Sequence, residues 1–303
     1  MHSPFGKLLA LVCLGLWLFA IGQPAGAEDK LRMVIIDGQN NHNWKEMTPF
    51  MKAFLEKTGR FTVEVATTPT ADAAAEDWQA FRPDFFQYQV VLSNYNGQRW
   101  PREVEMSLVK FVDAGGGLVI VHAANNAFPD WPEWNQMIGL GWRDAGFGDR
   151  LTLAEDGRVV VTPKGEGPGA GHGPQHEYAI VVRDREHPVM QGLPAEWVHG
   201  QDELYHGQRG PARDMHVLAT AYSAESQKGT SAHEPMIWWI PQGQGRVFTT
   251  VMGHIMATGN SALRCIGFQT VVARGSEWAA TGKVTLPIPD NFPTAGKVSL
   301  AEE

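Results

Sequence analysis

The chain has 303 residues, 19% of them charged and 10% aromatic, with 25 Lys and Arg against 33 Asp and Glu and a formal net charge of −8. That acidic balance argues against nucleic acid and against anionic membrane surfaces as partners. The cysteines are Cys13 and Cys265 only, and the first lies in a leader segment, so no internal disulfide is expected and stability must come from packing.

Residues 1–27 read as a cleavable signal peptide. Lys7 precedes an apolar run from Leu8 to Ile21, and the small triplet Ala25-Gly26-Ala27 follows. The run is shorter than the roughly 20 residues a membrane-crossing helix needs, so no anchor is expected after cleavage. A secreted or periplasmic location follows, with one domain over residues 28–303 as the working unit.

The N-terminal half alternates strand and helix patterns, as a parallel sheet covered by helices requires. Leu31–Ile36 predicts a buried strand, and Thr48–Thr58 a helix with Thr48 as N-cap, Pro49 at its first position and Gly59 as its stop. Phe61–Ala66 and Gln89–Asn94 are the next strands. Pro101–Ala114 is a helix, after which Gly115-Gly116-Gly117 turns into the strand Leu118–Val121.

Beyond Trp131 the pattern changes. A short Trp-rich helix precedes a hairpin over Arg150–Thr162 that turns at Asp156-Gly157, and a Gly/Pro/His-rich loop spans Gly165–His176. Glu177–Arg183, Val217–Tyr222, Met236–Ile240 and Arg246–Met252 read as strands, and Ala262–Ala273 as a closing helix. The segment from His187-Pro188 to Leu193-Pro194 reads as a capped turn leading into a short helix. Together these predict an open α/β sheet with antiparallel β additions.

Open α/β sheets bind ligands outside the carboxyl ends of their strands. The first strand is followed by Asn40, Asn41, His42 and Trp44, the third by Asn94, the fourth by His122 and Asn125, and the late strand Arg246–Met252 by Gly253-His254. Amides bind hydroxyls as donors and as acceptors, and aromatic faces cover sugar C–H surfaces. The expected ligand is therefore a neutral small-molecule carbohydrate, with Asn40, Asn41, His42, Trp44, Asn94 and Asn125 as contacts. Asn and Gly are also ordinary turn formers, the structural alternative for any one of these loops.

Phosphate loops, dinucleotide fingerprints and G-x-S-x-G elbows are absent, so no nucleotide cofactor is expected. Cys265 falls in an apolar segment and reads as a buried structural thiol. His172 and His176 flank three residues in a loop, and a His-x3-His spacing can share a metal. The run Asp202-Glu203-Leu204-Tyr205-His206 supplies carboxylates and an imidazole for acid/base or metal chemistry. The expected catalytic residues are His122, Glu203 and His254. A divalent metal such as zinc is expected on some of His42, His122, His176 and His254, with Glu203 as a further candidate.

The stretches GGGLVIVHAANNAF, HGPQHEY, HPVMQGLPAEWVHGQDELYH, GRVFTTVMGH and RGSEWAATGKVTLPIPDNFP, in this order, resemble the ThuA-like (trehalose utilisation) family, in particular its exported members. The resemblance implies a flavodoxin-like, class I glutamine amidotransferase-like three-layer sandwich and a role in carbohydrate metabolism, extending to 3-keto sugars. Amidotransferases of that fold carry a nucleophilic Cys after a central strand, where this chain has His122-Ala123-Ala124, so that activity is not implied. The reading is an exported hydrolase, lyase or isomerase acting on a saccharide or 3-keto-glycoside. Its rival is a non-catalytic extracytoplasmic sugar-binding protein.

Overall fold

A computed structural model describes residues 1–2, 29–255 and 260–302. The predicted signal peptide lies outside the described residues apart from Met1 and His2. Among the described residues no helix is long and apolar enough to cross a membrane.

The N-terminal half runs β1 (Leu31–Asp37), α1 (Trp44–Lys57), β2 (Phe61–Thr67), α2 (Ala75–Ala80), β3 (Val90–Ser93), α3 (Arg102–Asp113), β4 (Gly117–Val121) and α4 (Pro132–Ile138). The C-terminal half runs β5 (Arg150–Leu153), β6 (Val159–Thr162), β7 (Gly171–His172), β8 (His176–Val182), β9 (Glu196–Asp202), β10 (Tyr205–His206), β11 (His216–Ser223), β12 (Ala232–Gln242) and β13 (Gly245–Thr250). It closes with α5 (Ser261–Arg264) and α6 (Ile266–Thr281).

The main sheet has the order β2-β1-β3-β4-β13-β12-β11-β8-β9, with the β5–β6 hairpin joined to β12. The first five strands are parallel; from β12 onward each strand pairs antiparallel with its neighbour. The inner parallel strands β3 and β4 are buried on both faces, which explains why they read as continuous apolar runs, whereas the edge strand β2 alternates buried and exposed residues. Strand periodicity sends Met33 and Ile35 of β1 to the face covered by α1 and α6, and Val34 and Ile36 to the face covered by α3 and α4. This is the expected α/β three-layer sandwich with antiparallel additions.

Three local expectations need correction. Helix α1 starts at Trp44, a turn before the predicted Thr48, and Pro49 sits inside it on the exposed face, where losing one backbone bond costs least. The closing helix is broken at Cys265 and then continues to Thr281, because α6 buries residues around most of its circumference and so shows little amphipathic pattern. No helix follows Leu193-Pro194. Strand β9 lies there instead, with Trp197, His199 and Asp202 buried; two polar residues on its inward face disguise the strand.

Candidate active site

Three loops at the carboxyl edge of the parallel strands each deliver one imidazole: His42 after β1, His122 directly after β4, and His254 after β13. Their ring centroids are 4.8 Å apart for His42–His122, 4.8 Å for His42–His254 and 5.5 Å for His122–His254. Glu203 follows β9, at the far end of the antiparallel half, and its carboxylate nevertheless lies among the three histidines. Its Oε2 lies 3.4 Å from His254 Nδ1, 3.7 Å from His122 Nε2 and 3.8 Å from His42 Nε2.

The sequence explains each placement. His122 adopts a left-handed backbone, with φ of 48°, in the short 3-10 turn that ends β4. A non-glycine residue held there stores strain, and such strain clusters at functional sites. Gly253, with φ of 112°, makes the sharp exit from β13 that turns His254 inward. The buried Asp202 carboxylate ties the two sides together. Its Oδ1 accepts from the backbone N–H of Glu203 at 2.7 Å and of His254 at 3.0 Å, and its Oδ2 accepts from Gly253 N–H at 2.7 Å and from His199 Nε2 at 2.7 Å.

Protonation follows from these contacts. His122 Nδ1 donates to the Val251 carbonyl at 2.8 Å, which leaves Nε2 with a bare lone pair facing Glu203 and the Tyr205 hydroxyl, 3.3 Å away. Burial, then the neighbouring His42, pushes the His122 imidazole down to about 4, so it is neutral near pH 7. Burial raises the Glu203 carboxyl, but hydrogen bonds from His254 and His42 and the proximity of His122 outweigh it and hold the group well below the usual carboxylate range.

His42, His122, Glu203 and His254 present three nitrogen donors and one oxygen donor, all within 4.8 Å of one another. That donor set suits zinc and other borderline divalent cations. One further observation fits a cation: with Nδ1 committed to the Val251 carbonyl, His122 turns its Nε2 lone pair toward Glu203. His42 is oriented from behind, its Nδ1 lying 3.3 Å from Asn40 Oδ1 and 3.1 Å from Asn41 Oδ1, so that Nε2 points inward.

The remaining predicted residues divide. His176 stands apart from the cluster: its Nδ1 bonds the Pro174 carbonyl at 2.8 Å and its ring packs on Tyr178. Asn40 Nδ2 donates to the Asn94 carbonyl, Asn94 Nδ2 to Thr48 Oγ1, and Asn125 Nδ2 to Gln208 Oε1. Asn94 and Asn125 are fully buried, so these amides order the loops behind the site. Trp44 opens α1, half-buried, with Lys45 over its ring.

Several residues at the site were not among the expected site residues. His172, passed over for His176, places Nε2 3.4 Å from Glu203 Oε1, and Gln175 reaches the same oxygen at 3.5 Å. Pairing of β7 with β10 sets Tyr205 opposite His172, and Trp142 packs against both rings. Two-residue strands give no periodic signal, so this edge was invisible in the sequence. Cys265 is buried as expected, and it lies beside His199.

A groove of about 560 Å³ between α1, α6 and the C-terminal segment lies away from this chemistry. The histidine cluster, with its converging donors, is the better candidate site.

The family model ThuA, described as trehalose utilisation, matches residues 32–279. A ThuA-like protein from Parabacteroides merdae ATCC 43184 is 41% identical, with a TM-score of 0.86, over 90% of this chain and 98% of that one. A second, from Bacteroides uniformis ATCC 8492, shares the fold at 19% identity and a TM-score of 0.55, over 87% and 97% of the two chains. No curated protein matches the chain.

Proposed function

Because the chain belongs to the ThuA family of trehalose utilisation, we propose that it is an exported enzyme that cleaves a saccharide, in particular a 3-keto-glycoside, with the help of a divalent cation such as zinc. Family membership supports a carbohydrate-related role. The observation that carries the enzymatic reading is the convergence of His42, His122, His254 and Glu203 within 4.8 Å, with no serine or cysteine nucleophile among them. The expected leader over residues 1–27 supports export.

His42, His122 and His254, with Glu203, would hold the cation. When bound, it supplies Lewis acidity toward a carbonyl or hydroxyl oxygen of the sugar. Tyr205 is held neutral, since burial and the carboxylates of Glu203 and Asp202 raise its hydroxyl well above the usual value; it is therefore a hydrogen-bond donor beside His122. His172, half-exposed at the mouth, links the outer oxygen of Glu203 to solvent and provides a route for a proton.

In a 3-keto-glycoside the carbonyl at C3 acidifies the C2–H bond. A basic group of the pocket takes that proton, the C–H electron pair forms the C1–C2 double bond, and the C1–O bond breaks with its electrons on oxygen. The departing oxygen then takes a proton and leaves as an alcohol.

The test uses purified mature protein, zinc analysis and a panel of glycosides with their 3-keto forms. We expect one bound cation per chain and turnover that is lost on chelation and in His122→Ala. A cation-free protein whose stability zinc does not change would overturn the metal role. Calorimetric sugar binding without product from any keto sugar would overturn the enzyme and leave a binding protein.

A further inference from the structure

Behind the candidate metal ligands, β9 packs against α5 and the start of α6, and two glycines allow the close approach. A β-carbon at Gly200 would fall 2.4 Å from the Ser261 carbonyl oxygen, and one at Gly267 would fall 2.8 Å from Trp197 Nε1. The approach buries Cys265, the only cysteine of residues 28–303, against His199. From the other side, backbone pairing of Cys265 with Leu300 and the hydrogen bond from Ile266 N–H to the Ser299 carbonyl hold the residue in place.

His199 has both ring nitrogens directed at acceptors. Nε2 lies 2.7 Å from Asp202 Oδ2. Nδ1 is buried and, among the described residues, meets no oxygen or nitrogen, so the Cys265 sulfur is its partner. The surroundings of the sulfur decide which atom holds the shared proton. The backbone N–H groups of Phe268 and Gly200 face it, and Cys265 immediately precedes the sixteen-residue helix α6, whose N-terminal end favours negative charge. Burial raises the Cys265 thiol, but His199 and those N–H groups outweigh it and lower the group from its ordinary value. Tyr178, its ring centroid 5.3 Å from that of His199, is kept neutral by burial and adds no charge. The thiol proton therefore rests on Nδ1, and the electron pair of the S–H bond stays on sulfur.

A solvent-accessible thiolate is a nucleophile, whereas this sulfur is out of reach of solvent and its charge has a static use. An imidazolium bonded at both nitrogens cannot rotate, and the carboxylate it holds cannot turn away from the backbone N–H groups of Glu203, Gly253 and His254.

We propose that Cys265 is a positioning residue of the candidate metal centre: as a buried thiolate it completes a Cys265–His199–Asp202 relay whose imidazolium lies between two anions and keeps the Asp202 carboxylate aimed at the loops that carry Glu203 and His254. The positioning role rests on the function proposed above, whereas the thiolate does not.

The test uses purified mature protein, whose single thiol makes the spectrum unambiguous. Metal-free wild type near pH 7 is expected to show the ultraviolet absorbance of one thiolate relative to Cys265→Ser or Cys265→Ala, either of which serves as the reference. In zinc competition titrations Cys265→Ala should lose about tenfold or more in affinity, as supporting contacts of a metal site do. Cys265→Ser, whose hydroxyl still accepts from Nδ1, should lose less. Val271→Ala truncates another buried residue of α6 and controls for lost stability; it should keep the wild-type zinc affinity. Zinc affinity equal to wild type in both Cys265 variants, or an equal loss in Val271→Ala, overturns the positioning role. Absence of the thiolate absorbance from protein that does bind zinc overturns the present inference alone. Wild type that shows the absorbance but binds no zinc overturns the metal role proposed above and the positioning role with it.

Discussion

His199 Nε2 and Asp202 Oδ2 lie 2.7 Å apart with neither side chain reached by solvent, one turn of chain behind the candidate metal ligands. Burial opposes charge on both. Yet Cys265 and Asp202 raise His199 to about 10, and His199 lowers Asp202. The pair is therefore a buried ion pair whose carboxylate also holds the backbone of Glu203, Gly253 and His254.

From this clamp we expect Asp202→Asn to affect two properties at once. The amide cannot accept from both His199 and Gly253 on its nitrogen side, so a buried pair is broken, at a cost of about 3–5 kcal/mol. Glu203 and His254 also lose their common anchor, and supporting contacts of this kind typically carry 10–100-fold in metal affinity. Denaturant melts and zinc competition titration measure the two effects separately. A stability loss with unchanged zinc affinity would show that the clamp serves the fold alone.

Zinc itself should stabilise the protein by mass action. At a free concentration of 100 times Kd the gain is about 2.7 kcal/mol, visible as a raised melting temperature. His254→Ala removes the imidazole whose Nδ1 lies 3.4 Å from Glu203 Oε2, and His122→Ala removes the Nε2 lone pair that faces the same oxygen. Each variant should show little or none of the zinc-dependent shift, whereas His176→Ala, outside the cluster, should keep it. An equal shift in all three would dissociate zinc binding from this site.

Acid stability offers a check far from the site. His187 is buried against Trp278, with centroids 4.5 Å apart, and its Nδ1 accepts from Val189 N–H. Burial pushes it down to about 4, below its ordinary 6.5. Between those values the unfolded chain binds more protons than the folded one, so stability falls as pH drops from 6.5 toward 4. The contribution reaches up to about 3 kcal/mol. His187→Leu removes it, so the stability gap between wild type and variant should narrow through that window in urea titrations at stepped pH. A constant gap would mean that His187 does not titrate there.

The contrast between His42 and His172 shows how far the sequence could be read. His42, His122 and His254 follow long apolar parallel strands, whose buried runs are distinctive, and the rule that ligands gather at their carboxyl ends singled them out. Glu203 came from its acidic neighbourhood, although the strand before it, β9, was hidden by His199 and Asp202 on its buried face. His172 and Trp142 had no such frame. They sit on segments fixed by pairs as short as β7–β10 and by Arg209, whose contacts are remote in sequence and leave no periodicity. The amides Asn94 and Asn125 were recognised by position, but only packing distinguishes an amide that meets ligand from one that orders a loop.

Arg209 accounts for the order of the Gly/Pro loop. Fully buried, it donates to the carbonyls of Pro168 at 3.0 Å, of Gly148 and Pro163 at 3.3 Å each, and of Glu166. Lysine has no planar fork to serve four carbonyls. Arg209→Lys should therefore cost about 2–4 kcal/mol through carbonyls left without donors, and should speed protease cleavage within residues 163–170. Cleavage no faster than in wild type would show that the loop is held by other contacts.

The packing of α6 on the central sheet gives the last test, because two opposing effects have known sizes. Gly275 lies within α6, where alanine would ordinarily gain about 1 kcal/mol in helix propensity. Here a β-carbon would fall 2.4 Å from the Phe248 ring of β13, a contact that requires the helix or the ring to move. Phe248 is fully buried between β4 and β12, and overpacking of this kind costs about 1–3 kcal/mol. The steric cost is expected to win, leaving Gly275→Ala less stable by about 1–2 kcal/mol in a urea melt. β13 leads directly into Gly253 and His254, so the same displacement should weaken zinc binding in the variant. A more stable Gly275→Ala protein with unchanged zinc affinity would show that α6 can shift outward without disturbing the strand that carries His254.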